Sequence, residues 1–214
     1  MHPFPKIYRK DFAVFKKLDS PAKIQDFIDK LPINFETRGE TCRSPLMALK
    51  NNEAHCMEGA MLAAACFWYN GQRPLLLDLK TMVRPRSPQE KDDDHVVALF
   101  KENGRWGAVS KTNHAGLRYR DPVYKTVREL ALSYFHEYFL DNGVKTMRSY
   151  SAPFSLLQYD DDWLVSEEDD WLIPAELDDS RHLKIFPDGF SRHLRPADPI
   201  EIKAGKLTQW KRAR

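Results

Sequence analysis

At 214 residues the chain is long enough to bury a sizeable core, and 42% hydrophobic with 30% charged residues lies in the range of soluble globular proteins. Its 33 Lys and Arg nearly balance its 31 Asp and Glu, so the net charge of +2 calls for neither a nucleic-acid nor a membrane partner. The three cysteines, Cys42, Cys56 and Cys66, are an odd number without paired zinc-site spacing, which argues against a disulfide framework and a structural metal.

Met1-His2-Pro3-Phe4-Pro5-Lys6 carries prolines where a secretory signal would be continuously apolar, and the apolar stretch near Cys56 is too short to span a bilayer. A cytoplasmic location is expected. Ser20-Pro21 signals a helix start, and Ile24, Phe27, Ile28 and Leu31 follow at helical spacing until Pro32. From Asn34 to Lys50 no period is sustained, which predicts a loop with a short helix from Ser44. His55-Cys56-Met57-Glu58-Gly59-Ala60 then opens a run, apolar on nearly every face, that continues to Tyr69 and is closed by Asn70-Gly71: a helix inside the protein.

Leu75 to Leu79 reads as a strand, Arg84-Pro85-Arg86-Ser87-Pro88 as a polar loop, and Asp92-Asp93-Asp94 as a solvated lead into a second strand headed by His95. Asn103-Gly104 between apolar runs predicts a hairpin, with Trp106 to Ser110 returning toward Lys111-Thr112-Asn113. A third helix is expected from Thr126 through Phe139, closed by Asp141-Asn142-Gly143. Thr146 to Ser151 alternates weakly. Residues 160–180 hold ten acids and no basic residue, read as a solvated helix face with its acids placed at an amino terminus after Ser166. The basic tail (Lys203, Lys206, Lys211, Arg212, Arg214) is expected to fold back on that acidic stretch. The division that results is a core with an N-terminal helix over 1–150 and a C-terminal extension over 151–214, packed on the same domain.

Cys56 stands at the first turn of the buried helix, where the positive end of the helix favours thiolate. A thiolate nucleophile needs a base, and His95 is the expected partner. Cys66, ten residues on, reads as core. Adjacent residues of a helix point about 100° apart, so His55 is expected to add positive potential without sharing the site. Glu58 is expected to meet the helix dipole or Arg43. His114 is the second choice of base. Arg118 to Asp121 would contact an anionic substrate or form a salt-bridged turn.

The order of these residues resembles the transglutaminase-like superfamily, with its papain-like arrangement. The resemblance runs from Ser20 to Asn113 and rests on Cys56-Met57-Glu58-Gly59-Ala60 and on His95 leading a strand before Trp106. It implies an α+β fold with the central helix packed on an antiparallel sheet. It also implies peptide hydrolysis, amide hydrolysis or acyl transfer to an amine. The family's third residue is an aspartate soon after that tryptophan, where this chain has Ser110-Lys111-Thr112-Asn113. A hairpin at Asn103-Gly104 sets His95 opposite Lys111 or Thr112, so Ser110 or Asn113 shares its face according to register. Asparagine orients the histidine in papain-like proteases, and Asn113 is preferred on that ground.

The expectation is a cysteine enzyme using Cys56, His95 and Asn113 on a peptide or protein substrate, with no metal or organic cofactor. The alternative is a transglutaminase-like domain that has lost turnover and binds a peptide or protein in the old cleft. A third reading is an interaction module built on the acidic carboxy-terminal region.

Overall fold

A computed structural model describes residues 2–81 and 92–211; the loop expected at 84–88 lies outside the described residues. Helix α1 (Pro21–Lys30) starts where Ser20 accepts a hydrogen bond from the Lys23 N–H and Pro21 fills the first helical position, at which no N–H is needed. It ends at Leu31, ahead of Pro32. Ser44 caps α2 (Pro45–Asn51) in the same way, and Asn52, at φ 54°, turns the chain out of it. Every residue of α3 (Cys56–Tyr69) after Cys56 is buried, which is why no polar face is needed.

One antiparallel sheet collects all seven strands: β1 (Leu75–Lys80), β2 (His95–Glu102), β3 (Arg105–Val109), β4 (Arg120–Tyr124), β5 (Ser149–Ser151), β6 (Phe154–Ser155) and β7 (His182–Lys184). Their order is β4-β3-β2-β1-β5-β7, with β6 also paired to β1. The β2–β3 hairpin turns through Asn103 (φ 48°) and Gly104 (φ 75°), the two left-handed positions that a two-residue turn requires. Alternation along the strands divides the core in two. Leu76, Ala98, Phe100 and Val109 pack with α1 and α3, while Leu77, Val97, Leu99 and Ala108 pack with Leu130, Tyr134, Tyr138 and Met147. The chain is therefore α+β, a helix-covered antiparallel sheet to which residues on both sides of position 150 contribute strands. Among the described residues no helix is long and apolar enough to cross a membrane.

Three expectations are corrected. The third helix, α4, covers only Val127–Leu132, followed by a tighter turn at Phe135–Glu137. Arg120 explains the break. Its guanidinium donates to the Ser133 carbonyl and hydroxyl and lies 4.0 Å over the Tyr134 ring, taking the carbonyl that a continuing helix would give to residue 137. The periodicity still marked the right side chains, since Leu130, Ala131, Tyr134 and Tyr138 are all buried. In the acidic stretch the helix α5 (Leu172–Asp179) begins six residues after Ser166, where Asp170 accepts from the Leu172 and Ile173 N–H groups. Lastly, the C-terminal segment as far as Lys211 lies beside the chain that extends β3 and not on the acidic stretch, Arg212 and Arg214 of the expected tail being outside the described residues. Ala115 donates to the Leu207 carbonyl, Gln209 donates to the Asn113 carbonyl, and Lys206 pairs with Asp141.

Candidate active site

The amino terminus of α3 is held by a closed set of hydrogen bonds. His55 is the capping residue: its backbone N–H donates to Glu58 Oε2 (3.0 Å), and its Nδ1 accepts from the Met57 N–H (3.2 Å). Glu58, fully buried, also accepts from Asn34 Nδ2, the Thr41 hydroxyl and the Arg43 N–H, so its lone pairs are committed to structure. The expected tie to Arg43 is present, with the guanidinium 3.9 Å away. These bonds fix Cys56, partly exposed, at the first helical position, where free N–H groups and the helix dipole favour an anion.

Register decides which residue meets His95. Ala98 pairs with Val109 and Glu102 with Arg105, so three steps beyond the first of these pairs His95 falls opposite Thr112. The face of His95 therefore includes Ser110 and excludes Asn113. Accordingly, His95 Nε2 lies 2.7 Å from Ser110 Oγ. The Asn113 amide instead donates to the Trp210 carbonyl (3.0 Å) and accepts from the Trp210 N–H (2.7 Å), pinning the C-terminal segment. Ser110 Oγ donates to the Leu117 carbonyl at 2.5 Å. Having spent its proton there, the hydroxyl can only accept from His95, which assigns the proton to Nε2 and leaves Nδ1 as the acceptor.

Ser110 is itself clamped. Gln25 of α1, buried, accepts from its N–H and donates to its carbonyl, each at 2.9 Å. The next residue, Lys111, is fully buried and donates to the Ile28 and Leu31 carbonyls at the end of α1, where a cation suits the helix dipole; burial holds its amine down at about 8. Gly59 makes this approach possible, because a β-carbon there would overlap the Lys111 side chain.

Burial alone would push the Cys56 thiol up, but hydrogen bonding to His55 and His95 and the charge of both rings more than offset it and bring it to about 6. At His55 burial works against the charged form, and the Cys56 sulfur, Glu58 and the Thr41 carbonyl outweigh it, raising the imidazole to about 9. The His55 Nε2 lies 2.7 Å from the Thr41 carbonyl. The expectation that His55 would not share the site with Cys56 is thus corrected. It is a capping residue in extended conformation (φ −90°, ψ −172°), to which the angular step of a helix does not apply. Burial pushes Cys42 and Cys66 far up, so both are inert core thiols.

Cys56, His55, His95, Lys111 and Asn113 share one cleft of about 890 Å³, walled on the far side by the C-terminal helix α6 (Pro199–Gly205). His114 borders this cleft too, with Nδ1 on the Gly205 carbonyl, a contact to the C-terminal segment. Arg118 pairs with Asp29 and Arg120 with Glu137, while Asp121 stands exposed in β4 and not in a salt-bridged turn. The three consecutive aspartates diverge: Asp92 accepts from Thr146, Asp93 is exposed, and Asp94 accepts from the Thr81 N–H and hydroxyl. Among the described residues, Asp78, Asp94 and Asp178 come close enough to hold a metal ion, but Lys80 Nζ already sits 2.6 Å from Asp178. Gln25 and the Ser110–Leu117 bond were missed by sequence reasoning. A polar residue on the apolar face of α1, one step from Ile24, was the available signal for Gln25.

The chain matches no known protein-family model and no curated protein.

Proposed function

We propose that the protein is a cysteine enzyme of the transglutaminase-like, papain-like kind, acting on an amide or peptide carbonyl through a thioester at Cys56. The observation that carries this reading is Cys56 at the start of α3 in one cleft with His55 and His95, the second of which has its tautomer set by Ser110; the two imidazoles bring the thiol to about 6. The order of cysteine helix, histidine strand and orienting strand, with the helix on an antiparallel sheet, supports the family assignment.

In the reaction the sulfur bonds to the substrate carbonyl carbon as thiolate, its proton held by the neighbouring imidazoles, of which His95 has Nδ1 open to accept it. The backbone N–H of Cys56, at the positive end of α3, is the donor for the oxygen that becomes negative. As the carbon–nitrogen bond breaks, His95 returns the proton to the departing amine. Water then yields the acid, or a second amine yields a new amide, and Cys56 is released. No step calls for a group beyond these side chains.

A second reading has one specific observation behind it. Ser110 is neutral where the resemblance leads one to expect an acid, and a hydroxyl stabilises an imidazolium less than a carboxylate does; the cleft would then bind a peptide or protein without turnover. Exposure to p-nitrophenyl acetate separates the two. The enzyme releases a burst of nitrophenol and gains one acetyl group on the Cys56 peptide, and both signals vanish in Cys56→Ala and fall about 100-fold or more in His95→Ala. Absence of acetylation at Cys56 in the native protein would leave the binding reading.

A further inference from the structure

We propose that the cleft beside Cys56 is built to receive an apolar acyl group, the substrate class of the reaction proposed above and dependent on it. Most of the carboxylates lining the cleft are already engaged within the protein. Glu137 pairs with Arg120, Asp141 with Lys206 and Glu201 with Arg195, while Asp92 and Asp94 hold Thr146 and Thr81. Besides the buried, unpartnered hydroxyl of Tyr138, the cleft offers apolar surface: Ile33, Phe35, Leu117, Phe139, Ile202 and Leu207 line it and are half-buried or exposed.

These residues surround the nucleophile from several sides. Ile33 bridges to Ala54, two residues before Cys56, which sets Ile33 and Phe35 on the thiol side. Leu117 adjoins His95 through its carbonyl on Ser110. Opposite them, the Phe139 ring packs close to Gly205, and Leu207 follows as the chain leaves α6. Leu207 is 63% exposed, an unusual setting for a leucine that borders a concave surface. A cleft of about 890 Å³ lined in this way, with Cys56 in its wall, suits an acyl chain or bulky apolar side chain next to the carbonyl.

The acylation rate of Cys56 by p-nitrophenyl acetate, butyrate and octanoate, each divided by its rate with N-acetylcysteine, tests this. The expected result is a rise of at least about tenfold from acetate to octanoate, as methylenes leave water. In Leu207→Asp the octanoate-to-acetate ratio should fall toward one; the position is exposed, so folding is little affected. A flat or falling series in the native protein, or an unchanged ratio in Leu207→Asp, overturns the proposal while leaving acetylation of Cys56 in place. Failure of acetylation itself removes both this inference and the reading it rests on.

Discussion

Ser110 decides what His95 can do. By giving its own proton to Leu117 it accepts from Nε2 and leaves Nδ1 as the acceptor, so removing the hydroxyl frees the ring to change tautomer and swing. Ser110→Ala should slow acetylation of Cys56 about tenfold, the worth of one buried hydrogen bond, whereas Asn113→Ala should leave the rate within about twofold. Equal losses in the two variants would mean that Asn113 does reach the imidazole. The placement of Cys56 and His95 was legible in the sequence because each heads an element whose apolar pattern is strong. The choice between Ser110 and Asn113 was not legible, because a one-residue change of register exchanges the two faces of a strand and the turn signal alone leaves that residue undecided. His55 was judged by helical geometry although it stands just outside the helix.

At the scale of elements, the site depends on two close approaches. Gln25 of α1 grips the backbone of Ser110, and Lys111 reaches past Gly59 of α3 to the end of α1. A methyl group at position 59 forces α3 and the extension of β3 apart. Gly59→Ala should therefore lower unfolding free energy by about 1–3 kcal/mol in denaturant titration, although alanine is the better helix former by about 1 kcal/mol. A variant as stable as the native protein, or more so, would show that Lys111 yields without cost. The capped starts of α1 and α2, the central helix and the hairpin could all be read from the chain, because a proline or a polar cap beside an apolar period acts locally. The shortening of α4 could not, since Arg120 reaches Ser133 from another strand and nothing near residue 133 signals it.

Across the whole molecule, the sheet and its two cores bring a helix start, a strand start and a C-terminal segment to one cleft. The C-terminal segment is tied there by main-chain pairing with 113–115 and by the Asn113 side chain, and not by charge attraction to residues 160–180, which is why its position was hidden from a reading of charges. The same architecture separates three thiols by environment. Cys42 and Cys66 lie in the core, and Cys56 opens to the cleft beside two imidazoles. The most direct measurement is the rate of iodoacetamide labelling at each cysteine between about pH 4.5 and 9, resolved by peptide mass. Thiolate is the reactive form, so each rate climbs as pH rises through that thiol's pKa. Cys56 should reach half its maximal rate near pH 6, with Cys42 and Cys66 unlabelled in the folded protein. A Cys56 profile with the midpoint of a free thiol, about 8.5, would contradict the account.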